Sequence, residues 1–194
     1  MERRAQIERK TRETDVTLSV HLEGHGKSEI STGIPFFDHM LSLMAMHGLF
    51  DLSLRATGDL EVDFHHTVED IGMAFGEGIR RALGDGSGIR RFGEALVPMD
   101  EVLTRVVVDI SGRPYLVYRV KATGRVKDFD VELVESFSKA MADHGRLTLH
   151  VELLYGKNLH HIVESIFKGF GRALGQASSL DERRVGIPST KGRL

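Results

Sequence analysis

Apolar and polar residues alternate in TDVTLSVHLEG at 14–24, where Val16, Leu18, Val20 and Leu22 share one face and predict a half-buried strand. The period then changes. Met40, Leu43, Met44 and His47 recur at helical spacing, and Gly48 reads as the stop of that helix. Phe50, Leu52 and Leu54 alternate again, as do Leu60, Val62 and Phe64 beyond Thr57-Gly58-Asp59, which predicts an antiparallel strand pair. A helix starting near His65 carries Val68, Ile71, Phe75, Ile79 and Leu83 at three- and four-residue steps and runs out in GDGSG at 84–88. Further on, the pattern predicts strands around 104–110 and 114–121, a connector at 122–129, a helix at 130–143, a strand at 146–154 and a helix at 160–177.

The second series repeats the first. HHTVEDIGMAFG at 65–76 and HHIVESIFKGFG at 160–171 agree at seven of twelve positions, and both continue to Arg-Ala-Leu-Gly, at 81–84 and 172–175. Upstream, FFDHMLSLMAMHGLFDLSL at 36–54 and LVESFSKAMADHGRLTLHV at 133–151 share apolar spacing and a His-Gly pair. Collinear likeness of this kind is the mark of an internal duplication. It predicts an α+β fold of two pseudo-symmetric halves, 1–90 and 91–194. Each half is expected to be a mostly antiparallel sheet covered on one face by helices, the two packed as one unit with a polar tail from 181 onward.

Composition narrows the chemistry. The 194 residues are 41% hydrophobic and 28% charged, with a formal net charge of −2, so no basic excess draws the chain to nucleic acid or to an anionic membrane. No stretch has the apolar length of a signal peptide or a membrane span, and the chain reads as cytoplasmic. With no cysteine, a metal site must be built from histidine and carboxylate. Four of the ten histidines form the pairs His65-His66 and His160-His161. On a helix, His65 shares a face with Glu69, and His160 with Glu164, so each pair of side chains can converge on one ion. The second histidine of each pair lies about 100° further round the helix, which points to two ions or to one ion bridged between halves. Imidazole and carboxylate without thiolate suit Mn, Fe, Ni or Zn, and mixed octahedral ligation leans toward Mn or Fe.

His39 is a further candidate ligand. His47 and His144 end the two copies of one helix, where a cation complements the dipole, and His150 sits on a strand as ligand or as structural residue. Glu13, just ahead of the first strand, reads on its own as a surface carboxylate. Arg91 and Arg113 lie in turns where a guanidinium can clasp a phosphate, and Ser189-Thr190-Lys191-Gly192 offers two hydroxyls and an ammonium for the same purpose. Asp100, Glu101 and Asp109 are candidates to support ligands from behind, a role the sequence alone does not decide.

The segments STGIPFFDHML at 31–41, DFHHTVEDIG at 63–72, PMDE and DISGRP within 98–114, YGKNLHHIVESIFK at 155–168 and PSTKG at 188–192 resemble the imidazoleglycerol-phosphate dehydratases of histidine biosynthesis. The resemblance implies dehydration of imidazole glycerol phosphate to imidazole acetol phosphate through a metal-bound imidazolate. It also implies two Mn ions per active site and a 24-subunit assembly with sites between subunits. Carried over by motif, the metal ligands are His39, His65, His66, Glu69, His160, His161 and Glu164. Glu13 becomes the acid/base carboxylate and His47 lines the substrate pocket, while Arg91, Arg113, Lys168, Ser189, Thr190 and Lys191 hold the phosphate. One position departs from the pattern: Ser136 stands opposite His39 in the duplication, where many relatives carry histidine, which leaves His144, His150 or water to fill the place. Two other readings compete, a dinuclear-metal phosphoester hydrolase and a non-catalytic metal-storing cage.

Overall fold

The computed structural model describes residues 2–194. The first half runs β1 (Arg4–Lys10), β2 (Thr14–His21), β3 (Ser28–Ser31), α1 (Pro35–Gly48), β4 (Asp51–Gly58) and α2 (His65–Leu83). The second runs β5 (Phe92–Met99), β6 (Val102–Asp109), β7 (Tyr115–Arg119), a small hairpin of β8 (Arg125–Val126) and β9 (Phe129–Asp130), then α3 (Leu133–Gly145), β10 (Thr148–Tyr155) and α4 (Leu159–Ser178). The sheets are ordered β1-β2-β4-β3 and β5-β6-β10-β7. In each, the first three strands pair antiparallel and the fourth is parallel to its neighbour. Apart from the inserted β8–β9 hairpin the halves have one topology, as the repeat in the sequence predicts.

The helices lie between the two sheets. The inward positions of β2, Val16, Leu18 and Val20, are fully buried, and α2 packs over β1 and β2 while α4 packs over β5 and β6. Helix pairing crosses the halves: α1 packs on α4, and α2 on α3. Where the four meet, the rings of Phe37, Phe75, Phe137, Phe167 and Phe170 contact one another at centroid separations of 5.4 to 6.4 Å. Such aromatic packing contributes both buried area and edge-to-face attraction to the centre of the core.

Several elements differ from the sequence pattern, each for a physical reason. Leu60, Val62 and Phe64 form no strand: β4 already pairs with β2 on one edge and β3 on the other, so no ladder position is left. Leu60 and Phe64 pack against the core from a turn instead, and Val62 is exposed. The strands β1, β3 and β5 have no counterpart in the predicted series. β1 buries only Ile7 deeply, and β5 carries Phe92 and Leu96 on its outer face, which obscures the alternation. Gly48 does not cap its helix. Leu49 takes the left-handed conformation (φ 57°), as Arg146 does in the second copy (φ 51°), and Gly48 remains helical. Its value is steric, because a Cβ on Gly48 would collide with the Phe50 ring and lie 3.0 Å from the Gly171 carbonyl oxygen. No helix among the described residues is long and apolar enough to cross a membrane.

Candidate functional site

The start of α4 gathers the first donor set. Asn158 caps the helix, its side chain accepting from the His161 amide at 3.3 Å. One turn apart, His160 Nε2 and Glu164 Oε2 approach to 3.0 Å, and His39 Nε2, delivered by α1, lies 3.8 Å from the same carboxylate oxygen. The ligand atoms of His39, His160 and Glu164 all fall within 4.8 Å of one another. Two imidazole nitrogens and a carboxylate in this arrangement fit a divalent first-row ion. The other Glu164 oxygen meets Lys168 Nζ at 2.7 Å. Burial pushes the Glu164 carboxyl up, but the Lys168 ammonium and His160 outweigh it and hold the group below its ordinary value.

His161 faces another way, as the helical angle between neighbours requires. Its Nδ1 is 2.8 Å from Glu101 Oε2 in the β5–β6 turn, and Glu101 also accepts from the Asn158 amide at 2.8 Å. The hydrogen bond from His161 and those from the backbone pull the Glu101 carboxyl down to about 2, while His161 is raised by the same contact. Behind the cluster, burial and then the charges of Lys168 and Arg172 lower His47, favouring its neutral imidazole.

The start of α2 is the counterpart. His66 Nδ1 is 2.9 Å from Asp59 Oδ2 and 3.8 Å from Glu13 Oε2. The β1–β2 turn that carries Glu13 is tied to α2 from below, since buried Asp70 accepts from Thr14 Oγ1 and pairs with Arg9 at 2.9 Å. His65 and Ser136 line one cavity of about 510 Å³, together with Asp63, Asp130 and Glu132. Among the described residues no hydrogen bond or ion pair joins His65 to Glu69. Ser136 occupies the position matching His39, and neither alternative histidine reaches it within one chain. His144 lies eight residues along α3, about 12 Å at helical rise, and His150 is exposed on the outer face of β10.

The cationic residues form a separate group at the far end of α4. Arg91, in the left-handed region at φ 75°, holds Asp109 through two bonds of 2.8 and 3.2 Å and the Pro188 carbonyl at 2.9 Å. It thereby fastens the tail bearing half-buried Ser189 and exposed Thr190 and Lys191. The Arg113 turn is adjacent, since a Cβ on Gly112 would collide with the backbone of Leu194. The Arg91 amide bonds the Ala177 carbonyl, seventeen residues along α4 from His160, so the two groups stand about 25 Å apart in one chain. Of the predicted phosphate ligands, only Lys168 lies beside the histidine cluster. Asp59 is the contact that sequence reasoning passed over; its signal was the Gly58-Asp59 turn seven residues before His66.

These features define a duplicated α+β protein with a candidate histidine–carboxylate metal cluster and a separate cationic group around Arg91. The sequence model of the family described as imidazoleglycerol-phosphate dehydratase matches residues 32–174. Imidazoleglycerol-phosphate dehydratases of Pelobacter propionicus and Acetivibrio thermocellus are 56% and 54% identical to the chain, each over the whole of both proteins. The crystal structure of the dehydratase from Staphylococcus aureus superposes with a TM-score of 0.83 at 40% identity, covering 92% of this chain and 99% of that one. That from Pyrococcus furiosus gives 0.84 at 39% identity, covering 97% and 100%. The chain belongs to the imidazoleglycerol-phosphate dehydratase family, the hydro-lyases of histidine biosynthesis.

Proposed function

We propose that the protein removes water from imidazole glycerol phosphate to give imidazole acetol phosphate, with two Mn ions at each active site and sites assembled between subunits of a 24-subunit particle. The observation that carries the reading is the convergence of His39, His160 and Glu164 beside Lys168, in a chain of this family. The ions are held by His39, His160 and Glu164 and by His65, His66, Glu69 and His161. Bound there, they supply the Lewis acidity that turns the imidazole ring into an electron source. The hydroxyl on the carbon beside the ring leaves as water with an added proton, the proton on the next carbon passes to a base, and the resulting enol becomes the ketone. Glu13 serves these transfers; its side chain is 57% exposed and accepts no hydrogen bond among the described residues. His47 lines the pocket as a neutral imidazole. Lys168, Arg91, Arg113, Ser189, Thr190 and Lys191 take the phosphate.

The separation within one chain supports the shared site. About 25 Å between the histidine cluster and the Arg91 group far exceeds a molecule of one imidazole ring, three carbons and a phosphate. A substrate touching both must therefore lie between two copies. The test is to strip the protein with chelator, restore Mn, and follow ketone formation with inorganic phosphate measured alongside. Mn-dependent ketone without phosphate release is expected. Phosphate release would favour a hydrolase, and a metal-loaded particle that makes neither product would favour storage.

A further inference from the structure

The two copies of the hairpin carry glutamates in the same place. In β1–β2 the Thr11 amide bonds the Thr14 carbonyl and leaves Arg12 and Glu13 at the tip, and in β5–β6 the tip is Asp100 and Glu101, so Glu13 and Glu101 are structural counterparts. Each faces the second histidine of its helix pair, yet their contacts differ. Glu101 is fully engaged by His161 Nδ1 at 2.8 Å and by the Asn158 amide at 2.8 Å. Glu13 stands 3.8 Å from His66 Nδ1, beyond hydrogen-bonding reach.

The difference arises in the segment before the helix. Six residues, 59–64, separate β4 from His65, whereas four, 156–159, separate β10 from His160. After β10 comes Gly156, at φ 136°, where a Cβ would lie 2.5 Å from Val102 Cγ2 and 2.8 Å from Val102 Cα. No carboxylate can be mounted there, so the hairpin glutamate must hold the histidine. After β4 comes Asp59, whose amide bonds the Glu13 carbonyl at 3.2 Å and whose Oδ2 takes His66 Nδ1 at 2.9 Å. The longer segment also satisfies its own amides: Val62 donates to the Asp59 carbonyl and His65 to Asp63 Oδ1. Glu13 thus has no amide to hold, unlike Glu101.

We infer that Asp59 is a positioning residue that does for His66 what Glu101 does for His161, and so frees Glu13 to exchange protons with substrate. A carboxylate on Nδ1 fixes the ring and leaves Nε2 to face a ligand, which is the usual role of the group behind a ligating histidine. One of two equivalent glutamates is a structural anchor, and the other is released for chemistry by a residue that only its half can accommodate. The inference rests on the proposed acid/base role of Glu13.

The test compares Asp59→Ala and Asp59→Asn in the assembled, Mn-loaded enzyme. Removing the anchor is expected to let Glu13 close on His66 Nδ1, lowering kcat by about 10–100-fold with little change in KM. The asparagine carbonyl can still accept from Nδ1–H, so Asp59→Asn recovers to within about tenfold of the parent. Crystal structures supply a readout apart from activity: in Asp59→Ala the Glu13 carboxylate should sit within hydrogen-bond distance of His66 Nδ1, and in Asp59→Asn it should not. Glu13 unmoved in Asp59→Ala, or equal loss of kcat in both variants, overturns the inference. Full activity of Glu13→Gln would instead sink the acid/base reading, even with the capture of Glu13 by His66 observed.

Discussion

The contact that joins the halves makes a direct test of the fold. Gly76, on α2, faces α3, and a Cβ built there lies 2.5 Å from the Met141 carbonyl oxygen and 2.7 Å from the Gly145 amide nitrogen. Both are backbone atoms of a packed helix and cannot swing aside. In an unconstrained helix, Gly→Ala gains about 1 kcal/mol. Here overpacking opposes it by about 1–3 kcal/mol, so Gly76→Ala should be destabilised by up to about 2 kcal/mol. Gly78, two residues on, is the control, because its Cβ would meet only the ends of Leu18, Val20 and Ile7, at 3.1, 3.3 and 3.6 Å. Side-chain ends can yield, and Gly78→Ala should keep much of the helical gain. For a chain of this size each kcal/mol moves the melting temperature by about 2–4 °C, so melts at fixed protein and metal concentration resolve the two. Gly76→Ala as stable as Gly78→Ala would refute the account of the α2–α3 contact.

Further outcomes are specific. Glu13→Gln should lower kcat by about 10²–10⁴-fold, with Mn stoichiometry unchanged by metal analysis; loss of bound metal instead would place Glu13 among the ligands. Ser136→His should tighten one of the two proposed Mn sites, and equal affinities in parallel titrations would reject a role for that position. Because burial lowers His47, the unfolded chain takes up a proton near pH 6.5 that the folded chain refuses. Stability is therefore lost as pH falls from about 6.5 toward the lower folded value, and His47→Gln should flatten that part of a stability-against-pH curve. Arg91→Ala frees the Pro188 carbonyl and should raise KM while making the tail more susceptible to limited proteolysis, two readings checked on one preparation.

Much of this arrangement was legible in the repeat. Because HHTVE and HHIVE return in one context, the sequence indicates a duplicated fold and the two helix starts, and the i, i+4 rule places His160 on Glu164 while turning His161 away. The edge strand β1 was obscure because only Ile7 of its seven residues is deeply buried, which leaves no apolar alternation to read. Gly48 misled because a glycine after a helical run usually marks a left-handed cap, whereas here Leu49 takes that conformation and the glycine answers to a neighbouring backbone. Asp59 was passed over for a different reason, although the Gly58-Asp59 turn marks its place. Its role depends on which of two carboxylates captures His66, a contest of 2.9 against 3.8 Å that spacing along the chain does not encode.

Pairing across the halves explains why the duplication is kept as one folding unit. His39 comes from the first half and His160 and Glu164 from the second, while Ser136 of the second faces His65 of the first across a shared cavity. Neither half owns a complete donor set. The distance between His39 and His160 is set by how closely α1 lies on α4, and that approach reaches backbone contact where Gly171 meets Gly48. The glycines therefore act on the chemistry through geometry: a side chain at either would push the helices apart and spread the ligand atoms that now lie within 4.8 Å. In the proposed function the same logic operates one level up, because the Arg91 group stands about 25 Å from the cluster in one chain, and a substrate touching both would need a second copy. Loss of assembly should then weaken phosphate recognition while leaving the His39, His160 and Glu164 cluster able to bind metal, a separation that metal titration of a dissociated variant would expose.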